Sequence, residues 1–255
     1  MDILLTNDDG VLAEGLSALR AALDPLGRIW VVAPEREQSA TSHALTLHRP
    51  LRVRQLEERV FAVDGTPTDC VLLACRGVPE MIDARIGLVV SGINHGANLG
   101  DDVSYSGTVA AAIEGQMLGC PSVAVSLDDW RPGGFAAAGA VARTIVERLI
   151  EQGLPHGALI NVNVPSLPED GIKGYKITRL GKRTYRDRIV RKTDPRGRPY
   201  FWIGGDKPTW EAQPGSDLDA VDAGFVSVTP IQLDATDYDA METLAGWNLP
   251  NGDRR

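Results

Sequence analysis

The first ten residues, MDILLTNDDG (1–10), already indicate the class of fold. Ile3, Leu4 and Leu5 form a continuous apolar run, which is typical of a strand buried on both faces of a parallel sheet. Asp8 and Asp9 follow, so we expect both carboxylates just beyond the carboxyl end of that strand. Because open α/β sheets bind ligands at this edge, the stretch also predicts where a ligand site lies.

Strand and helix patterns alternate through residues 1–165, which predicts an α/β fold with a parallel sheet and crossover helices. RIWVVA (28–33) and IGLVV (86–90) are two further buried strands, whereas residues 51–63 alternate like a hairpin outside the parallel core. Thr66 and Pro67 mark the start of a helix. Three of the strands end in polar loops, which contain NDDG, REQSATS and SGIN.

Beyond Pro165 the composition changes, and we divide the chain into a catalytic core (1–165) and a C-terminal part (166–255). Residues 179–198 hold nine Lys or Arg and two Asp, and Asp194-Pro195-Arg196-Gly197 suits a turn. We therefore expect a projecting basic hairpin at about 183–204. GFVSVTPI (224–231) follows as a strand that returns to the core, and the last helix carries an apolar face from Tyr238 to Trp247.

The basic hairpin either steers anionic substrates or docks against an acidic neighbouring subunit. We favour docking, with Arg186 and Arg188 at the contact, because long exposed hairpins are only marginally stable alone.

Composition excludes several classes of protein. A net charge of −8 argues against a general electrostatic grip on polymeric nucleic acid. No apolar run has the length of a membrane span and the N-terminus lacks a signal-peptide pattern, so we expect a cytoplasmic protein without membrane contact. Three cysteines without a CxxC pair indicate neither a disulfide framework nor a zinc site.

The paired aspartates are the strongest chemical signal. Two adjacent carboxylates repel each other, so either one is protonated or a cation lies between them. Mg²⁺ and Mn²⁺ prefer oxygen ligands. The alternative is that Asp8 or Asp9 only shapes a turn or caps a helix, but their place at a buried strand tip favours a metal.

The other two loops offer neutral oxygens and amides. Ser39, Thr41 and Ser42 follow the second strand, which should lie beside the first, although alone they are ordinary loop hydroxyls. Asn94 and Asn98 in SGINHGANLG offer amide groups to a metal or a phosphate. His43 and His95 lie in the same loops; a solvated or hydrogen-bonded role is the better interpretation of each.

A helix begins just beyond SGINHGANLG. Ser106, Gly107 and Thr108 lead into it, which suits either a phosphate cradle at its N-terminus or an ordinary cap. No P-loop is present, and no GxGxxG follows the first strand. The two aspartates are adjacent and not separated as in Asp-x-Asp phosphatases, which weakens an aspartyl-phosphate mechanism and favours metal-assisted attack by water.

Four segments of the chain belong together: ILLTNDDG (3–10), APEREQSATSHALTL (33–47), VSGINHGANLGDDVSYSGTVAAAIEG (90–115) and DLDAVDAGFVSVTPI (217–231). In this order they resemble the SurE survival-protein family of metal-dependent nucleotidases. The resemblance implies a Rossmann-like sheet, one Mg²⁺ or Mn²⁺ ion per subunit, and hydrolysis of nucleoside 5′- and 3′-monophosphates, with polyphosphate as a further substrate. It also implies a homodimer or homotetramer that assembles through the hairpin and the C-terminal segment.

The resemblance also implies roles for individual residues. The metal ligands are then Asp8, Asp9, Ser39 and Asn94, and the two aspartates are catalytic. Phosphate contacts are assigned to the following set: Asn94, Asn98, Ser106, Gly107 and Thr108. Two rivals remain: a phosphatase with Asp8 as the nucleophile of an aspartyl-phosphate, and a nucleotide sensor without catalysis.

Overall fold

A nine-stranded sheet organises the chain in the computed structural model, which describes residues 1–76, 81–128, 134–153, 158–184, 187–205, 209–210, 213–247 and 249. The strands are β1 (Asp2–Thr6), β2 (Arg28–Pro34), β3 (Val53–Glu57), β4 (Val60–Val63), β5 (Leu88–His95), β6 (Ser122–Asp128), β7 (Ala158–Pro165), β8 (Tyr175–Ile177), β9 (Arg183–Thr184), β10 (Asp187–Thr193), β11 (Pro199–Gly205), β12 (Thr209–Trp210) and β13 (Val226–Gln232). The helices are α1 (Glu14–Leu23), α2 (Pro67–Arg76), α3 (Gly107–Met117), α4 (Phe135–Gln152), α5 (Asp217–Asp222) and α6 (Tyr238–Ala245).

The sheet is mostly parallel and has the strand order β3-β4-β2-β1-β5-β6-β7-β13-β8. All neighbours from β4 to β7 in this order pair in parallel. β3 is antiparallel to β4, and β13 is antiparallel to β7 but parallel to β8. This arrangement confirms the predicted α/β fold with a mostly parallel sheet flanked by helices.

The apolar run of β1 is buried on both faces, as its composition predicts. Ile3 and Leu5 pack in one core cluster with the leucines of α1 and the small side chains of α4. Leu4 belongs to the opposite cluster, with residues of α2 and α3. Since burial of one such side chain contributes roughly 1.5–3 kcal/mol, β1 is held firmly between the two helix layers.

The starts of two helices agree with the sequence patterns. The Thr66 hydroxyl accepts a hydrogen bond from the backbone N–H of Asp69 (3.1 Å), and Pro67 is the first residue of α2. Ser106 caps α3 by accepting from the backbone N–H of Val109 (3.0 Å). Each cap satisfies a helix N–H that would otherwise lack a partner, which fixes where the helix begins.

One expectation about the sheet is wrong in part. Residues 51–63 do form an antiparallel hairpin, β3–β4, but β4 also pairs in parallel with β2 and so belongs to the main sheet. The reason lies in VFAV (60–63), whose four residues are all buried, whereas β3 is mostly exposed. The alternation in β3 therefore describes an edge strand and not the whole hairpin.

The predicted projecting hairpin is formed by β10 and β11, which pair from Asp187↔Gly205 to Thr193↔Pro199. The Asp194 carboxylate organises its turn by accepting from the backbone N–H groups of Arg196 (2.8 Å) and Arg198 (2.9 Å). Arg186 lies outside the described residues, and of Arg188 only the backbone is described.

The three cysteines form no disulfide. Cys70 and Cys120 are buried and Cys75 is partly buried, and all three are free thiols. Within the described ranges, no helix combines the length and the apolar character that crossing a bilayer requires.

The close contact of α1 with β5 gives a test of the packing. A Cβ at Gly15 would lie 2.0 Å from the backbone oxygen of Ile93, whereas a Cβ at Gly139 of α4 would come no closer than 3.2 Å to Ala22 Cβ and 3.5 Å to the Ala18 backbone oxygen. We expect Gly15→Ala to lower the free energy of unfolding by about 3 kcal/mol and Gly139→Ala to change it by less than about 1 kcal/mol. Urea unfolding followed by circular dichroism measures both; equal effects would contradict the α1–β5 contact.

Candidate active site

Three polar loops meet at the carboxyl edge of the sheet because β2, β1 and β5 are neighbours. The backbone N–H of Gln38, in the loop after β2, donates to the backbone oxygen of Asp8 (2.7 Å). From the other side, the backbone N–H of His95 donates to Asp9 Oδ2 (3.4 Å). The loops that the sequence predicts to converge on the two aspartates therefore do so.

A side-chain turn shapes the aspartate pair. Asn7, which is fully buried, donates from Nδ2 to the backbone oxygen of Gly10 (3.0 Å) and accepts from the Gly10 N–H (3.2 Å). Gly10 has a φ of +105°, in the region that favours glycine. Asn7 was not among the residues predicted for the site, although asparagine before a glycine-containing turn is a recognisable signal.

Asp8 lies inside the protein and is held by the N-terminus of α3. Its side chain is only 5% exposed, and the Thr108 hydroxyl donates to Oδ1. Burial raises the pKa of Asp8 above its usual range, while hydrogen bonds from Thr108 and from the backbone N–H of Gly107 oppose that rise. A Cβ at residue 107 would lie 2.8 Å from Asp8 Oδ2, so the glycine permits this close approach.

Asp9 is half-buried beside Asp8. Its burial and the neighbouring Asp8 carboxylate raise the pKa of Asp9 to about 6. Among the described residues, no lysine or arginine forms an ion pair with either aspartate. Two adjacent carboxylates without a cationic side chain fit a bound cation, which would favour their charged forms.

Neutral oxygens lie in the loops on either side. Ser39 is exposed and its hydroxyl donates to Glu37 Oε1 (2.6 Å). Asn94 donates from Nδ2 to the backbone oxygen of Gly96 (2.7 Å), which leaves its Oδ1 as an acceptor. The described part of the chain holds no cluster of three or more His, Cys, Asp or Glu that suits a metal, so a cation here would rely on such neutral oxygens. That donor set suits Mg²⁺ or Mn²⁺ better than zinc.

The predicted phosphate contacts lie at the same edge but have partners of their own. Ser106 is buried and caps α3, and Gly107 contacts Asp8. Thr108 is fully buried and its hydroxyl is directed to Asp8, so a phosphate contact of this side chain stays a prediction. Part of the α3 N-terminus therefore stabilises a protein carboxylate, which the sequence analysis did not anticipate.

Asn98 is enclosed by residues that the sequence analysis missed. Its Nδ2 donates to Ser126 Oγ (2.8 Å), and its backbone contacts the carboxamides of Asn161 and Asn163 on β7. The signal was present in ALINVNV (158–164), where two asparagines two positions apart must share one face of a strand.

The loop after β2 is hydrogen-bonded to helix α3 and to the residues just before it. His43 Nε2 lies 2.8 Å from Glu114 Oε2 of α3, and Glu114 is buried. The backbone N–H of Ser42 donates to the backbone oxygen of Tyr105 (3.1 Å). His95 packs edge-on against Phe135. Both histidines thus have structural partners, in agreement with the interpretation that we favoured.

The C-terminal part contributes a buried anchor to the site. The carboxylate of Asp217, at the start of α5, accepts from the backbone N–H of Gly100 (2.8 Å) and of Gly181 (2.8 Å). It also accepts from the N–H of Leu218 (2.9 Å). Three donors satisfy this fully buried carboxylate, which ties the loop after β5 to residues more than one hundred positions later.

Comparisons with known proteins agree on one family. A sequence model described as "Survival protein SurE" matches residues 3–187. The "5′-nucleotidase SurE" of Methylococcus capsulatus is 52% identical over 97% of each chain, and that of Geotalea daltonii is 51% identical over 98% of this chain and all of its own. The crystal structure of the SurE protein from Aquifex aeolicus superposes with a TM-score of 0.87 at 44% identity, covering 96% of this chain and 99% of the other.

The bond between Thr108 and Asp8 provides a second test. Thr108→Val keeps the shape of the side chain but leaves a buried carboxylate oxygen without its donor, which costs about 1–3 kcal/mol of unfolding free energy. Thr108→Ser keeps the hydroxyl and is the matched control. Urea unfolding of the two variants should separate them by at least about 1 kcal/mol; identical midpoints would mean that the hydroxyl does not stabilise Asp8.

Proposed function

This chain belongs to the SurE family of survival proteins, and on that premise we propose that it is a divalent-metal-dependent phosphomonoesterase that hydrolyses nucleoside 5′-monophosphates. Relatives that are about half identical carry the name 5′-nucleotidase. Hydrolysis of 3′-monophosphates and of polyphosphate belongs to the same proposal. The observation that carries it is the pair of buried Asp8 and half-buried Asp9, which has no Lys or Arg partner among the described residues and lies beside a helix N-terminus.

We assign the metal ligands to Asp8, Asp9, Ser39 and Asn94, with one Mg²⁺ or Mn²⁺ ion per subunit. The oxygen-only donor set at the ends of β1 and β5 and in the loop after β2 supports this assignment. When bound, such an ion supplies Lewis acidity toward a phosphoryl oxygen and toward water.

The protein's own residues would prepare the site for that chemistry. The Thr108 hydroxyl and the Gly107 N–H hold one carboxylate in a single orientation, so no side chain has to reorganise when substrate arrives. Ser106 and Asn98 lie at the same edge of the sheet, where fixed N–H and O–H dipoles would stabilise charge on the phosphoryl oxygens. Binding and orientation of phosphate are thus the roles we assign to this part of the chain.

The division of the chain follows the same logic. We propose that residues 1–165 form the catalytic core and that residues 166–255 add the hairpin, the returning strand β13 and the C-terminal helix. All the proposed ligands lie in the first part, and the second part reaches the site through Asp217.

Phosphate release is the measurement that tests this function. A panel of 5′- and 3′-nucleoside monophosphates is assayed with Mn²⁺, Mg²⁺ or a chelator, for wild type, Asp8→Asn and Asp83→Asn. The Asp83 side chain is 74% exposed and interacts with Arg28 at the amino end of β2, so it is the control. We expect metal-dependent release that Asp8→Asn lowers by about a hundredfold or more and that Asp83→Asn leaves unchanged.

Other outcomes would contradict the proposal in different ways. No release with any nucleotide or metal would favour a nucleotide sensor. Covalent phosphate trapped on Asp8 by rapid quenching would favour an aspartyl-phosphate mechanism.

We also propose that the chain forms a homodimer or homotetramer through the β10–β11 hairpin and the C-terminal segment. Large apolar side chains of the hairpin face solvent: Ile189 is 72% exposed and Ile203 is 84% exposed. Tyr238 and Met241 of α6 are likewise exposed. An apolar patch of this kind marks an interaction surface, and an acidic second copy would also complement the basic hairpin.

A charge in the hairpin tests the assembly. Ile203→Glu should lower the mass measured by light scattering to that of a smaller assembly, because the exposed isoleucine would lose its apolar partner surface. Met117→Glu, at the exposed end of α3, is the matched control. The double variant Arg186→Glu/Arg188→Glu should act in the same direction. An unchanged mass for Ile203→Glu would exclude the hairpin as the contact.

A further inference from the structure

We propose that Asn163 and Asn161 of β7, together with Ser126 of β6, are positioning residues that fix Asn98 for phosphate binding. We call these three side chains the asparagine cradle. The inference rests on the proposed function, because Asn98 is one of the residues to which that function assigns the phosphate. None of the three carries a charge, and their role follows from what they contact.

The asparagine cradle satisfies both backbone groups of Asn98. The Asn98 N–H donates to Asn163 Oδ1 (2.8 Å), and Asn163 Nδ2 donates back to the Asn98 carbonyl oxygen (3.0 Å). Asn161 Nδ2 donates to the same carbonyl oxygen (2.9 Å). The Asn163 carboxamide thus hydrogen-bonds to both the N–H and the C=O of Asn98, as the backbone of a neighbouring strand would. The Asn161 carboxamide adds a second hydrogen bond to the C=O.

The side chain of Asn98 is fixed as well. Its Nδ2 donates to Ser126 Oγ (2.8 Å), which selects the orientation of the carboxamide and leaves a second Nδ2 proton for another acceptor. Two residues further along, the carboxylate of Asp217 holds the N–H of Gly100. The backbone from Asn98 to Gly100 is therefore held in one conformation before a substrate binds, which is the condition for stabilising charge without reorganisation.

The position of the cradle in the sheet argues against an ordinary packing role. Asn161 and Asn163 are fully buried, and their strand, β7, lies between β6 and β13. Apolar side chains would fill such positions at lower cost, because a buried carboxamide is unfavourable unless it is hydrogen-bonded. Asn161 Oδ1 even lacks a partner in the described part of the chain. The hydrogen bonds to Asn98 account for the presence of carboxamides at these buried positions.

The same sheet supplies a matched control. Ser227 of β13 is the register partner of Asn163 and is equally buried. Its hydroxyl bonds with Thr178 (3.0 Å) and has no contact with Asn98 among the described residues. Ser227→Ala therefore removes a buried hydroxyl at the same level of the sheet without removing any of the hydrogen bonds that the asparagine cradle makes to Asn98.

The test combines kinetics with a double-mutant cycle. We measure kcat and KM for adenosine 5′-monophosphate and the inhibition constant of inorganic phosphate for wild type, Asn163→Ala, Ser227→Ala, Asn98→Ala and Asn98→Ala/Asn163→Ala. We expect Asn163→Ala to lower kcat/KM and to weaken phosphate inhibition by about tenfold each, and Ser227→Ala to stay within about twofold. The double variant should be no worse than Asn98→Ala, because Asn163 acts through Asn98.

Two results would overturn the inference: equal effects of Asn163→Ala and Ser227→Ala, or losses that multiply in the double variant. If Asn163→Ala does not fold, Asn161→Ala, which removes one of the three backbone bonds, replaces it in the same cycle. A wild type without hydrolysis would refute the proposed function alone. Calorimetric binding of inorganic phosphate to wild type, Asn163→Ala and Ser227→Ala then decides the role of the cradle.

Discussion

The burial of the Asp8 carboxylate at the tip of β1 is the constraint on which the rest of the site depends. A carboxylate that is 5% exposed is costly unless donors or a cation compensate it. The start of α3 supplies donors from the Thr108 hydroxyl and from backbone N–H groups. This requirement explains why residue 107 is a glycine, since any larger side chain would occupy the space of the carboxylate. The start of helix α3 is therefore bound to the Asp8 carboxylate in addition to its packing on the apolar core.

Local sequence patterns predicted the architecture because the features that define these elements, such as an apolar run or a helix cap, involve residues close in sequence. The run Ile3–Leu5 predicted a strand buried on both faces. Thr66 and Ser106 indicated helix starts, because each caps its helix through a hydrogen bond to a residue only three positions later. The same reasoning placed three loops at one edge, because strand adjacency in an α/β sheet follows simple rules. The pairing of β4 with β2 escaped it, since a short apolar strand next to an alternating one carries no information about which sheet it joins.

The side-chain partners inside the site could not be predicted in this way. Thr108 bonds to a residue one hundred positions earlier, Asn163 to one sixty-five positions earlier, and Asp217 to one more than one hundred positions earlier. Each is a polar residue that local rules would explain as a cap, a turn or a solvated face. Only the assembled sheet brings them to their targets, so the candidate ligands could be named from the sequence whereas the residues that orient them could not.

The order in which the sheet is completed has a consequence for synthesis of the chain. Strand β7 ends at Pro165, but its antiparallel neighbour β13 begins only at Val226, and β8 has no sheet partner among the described strands except β13. While the intervening segment leaves the ribosome, β7 remains an edge with unpaired backbone groups. Asp217, which steadies Gly100, emerges in the same late interval. A nascent chain would thus contain every proposed metal ligand while β7 still lacks its neighbour β13, and the site would be complete only after residues 217–232 have been synthesised.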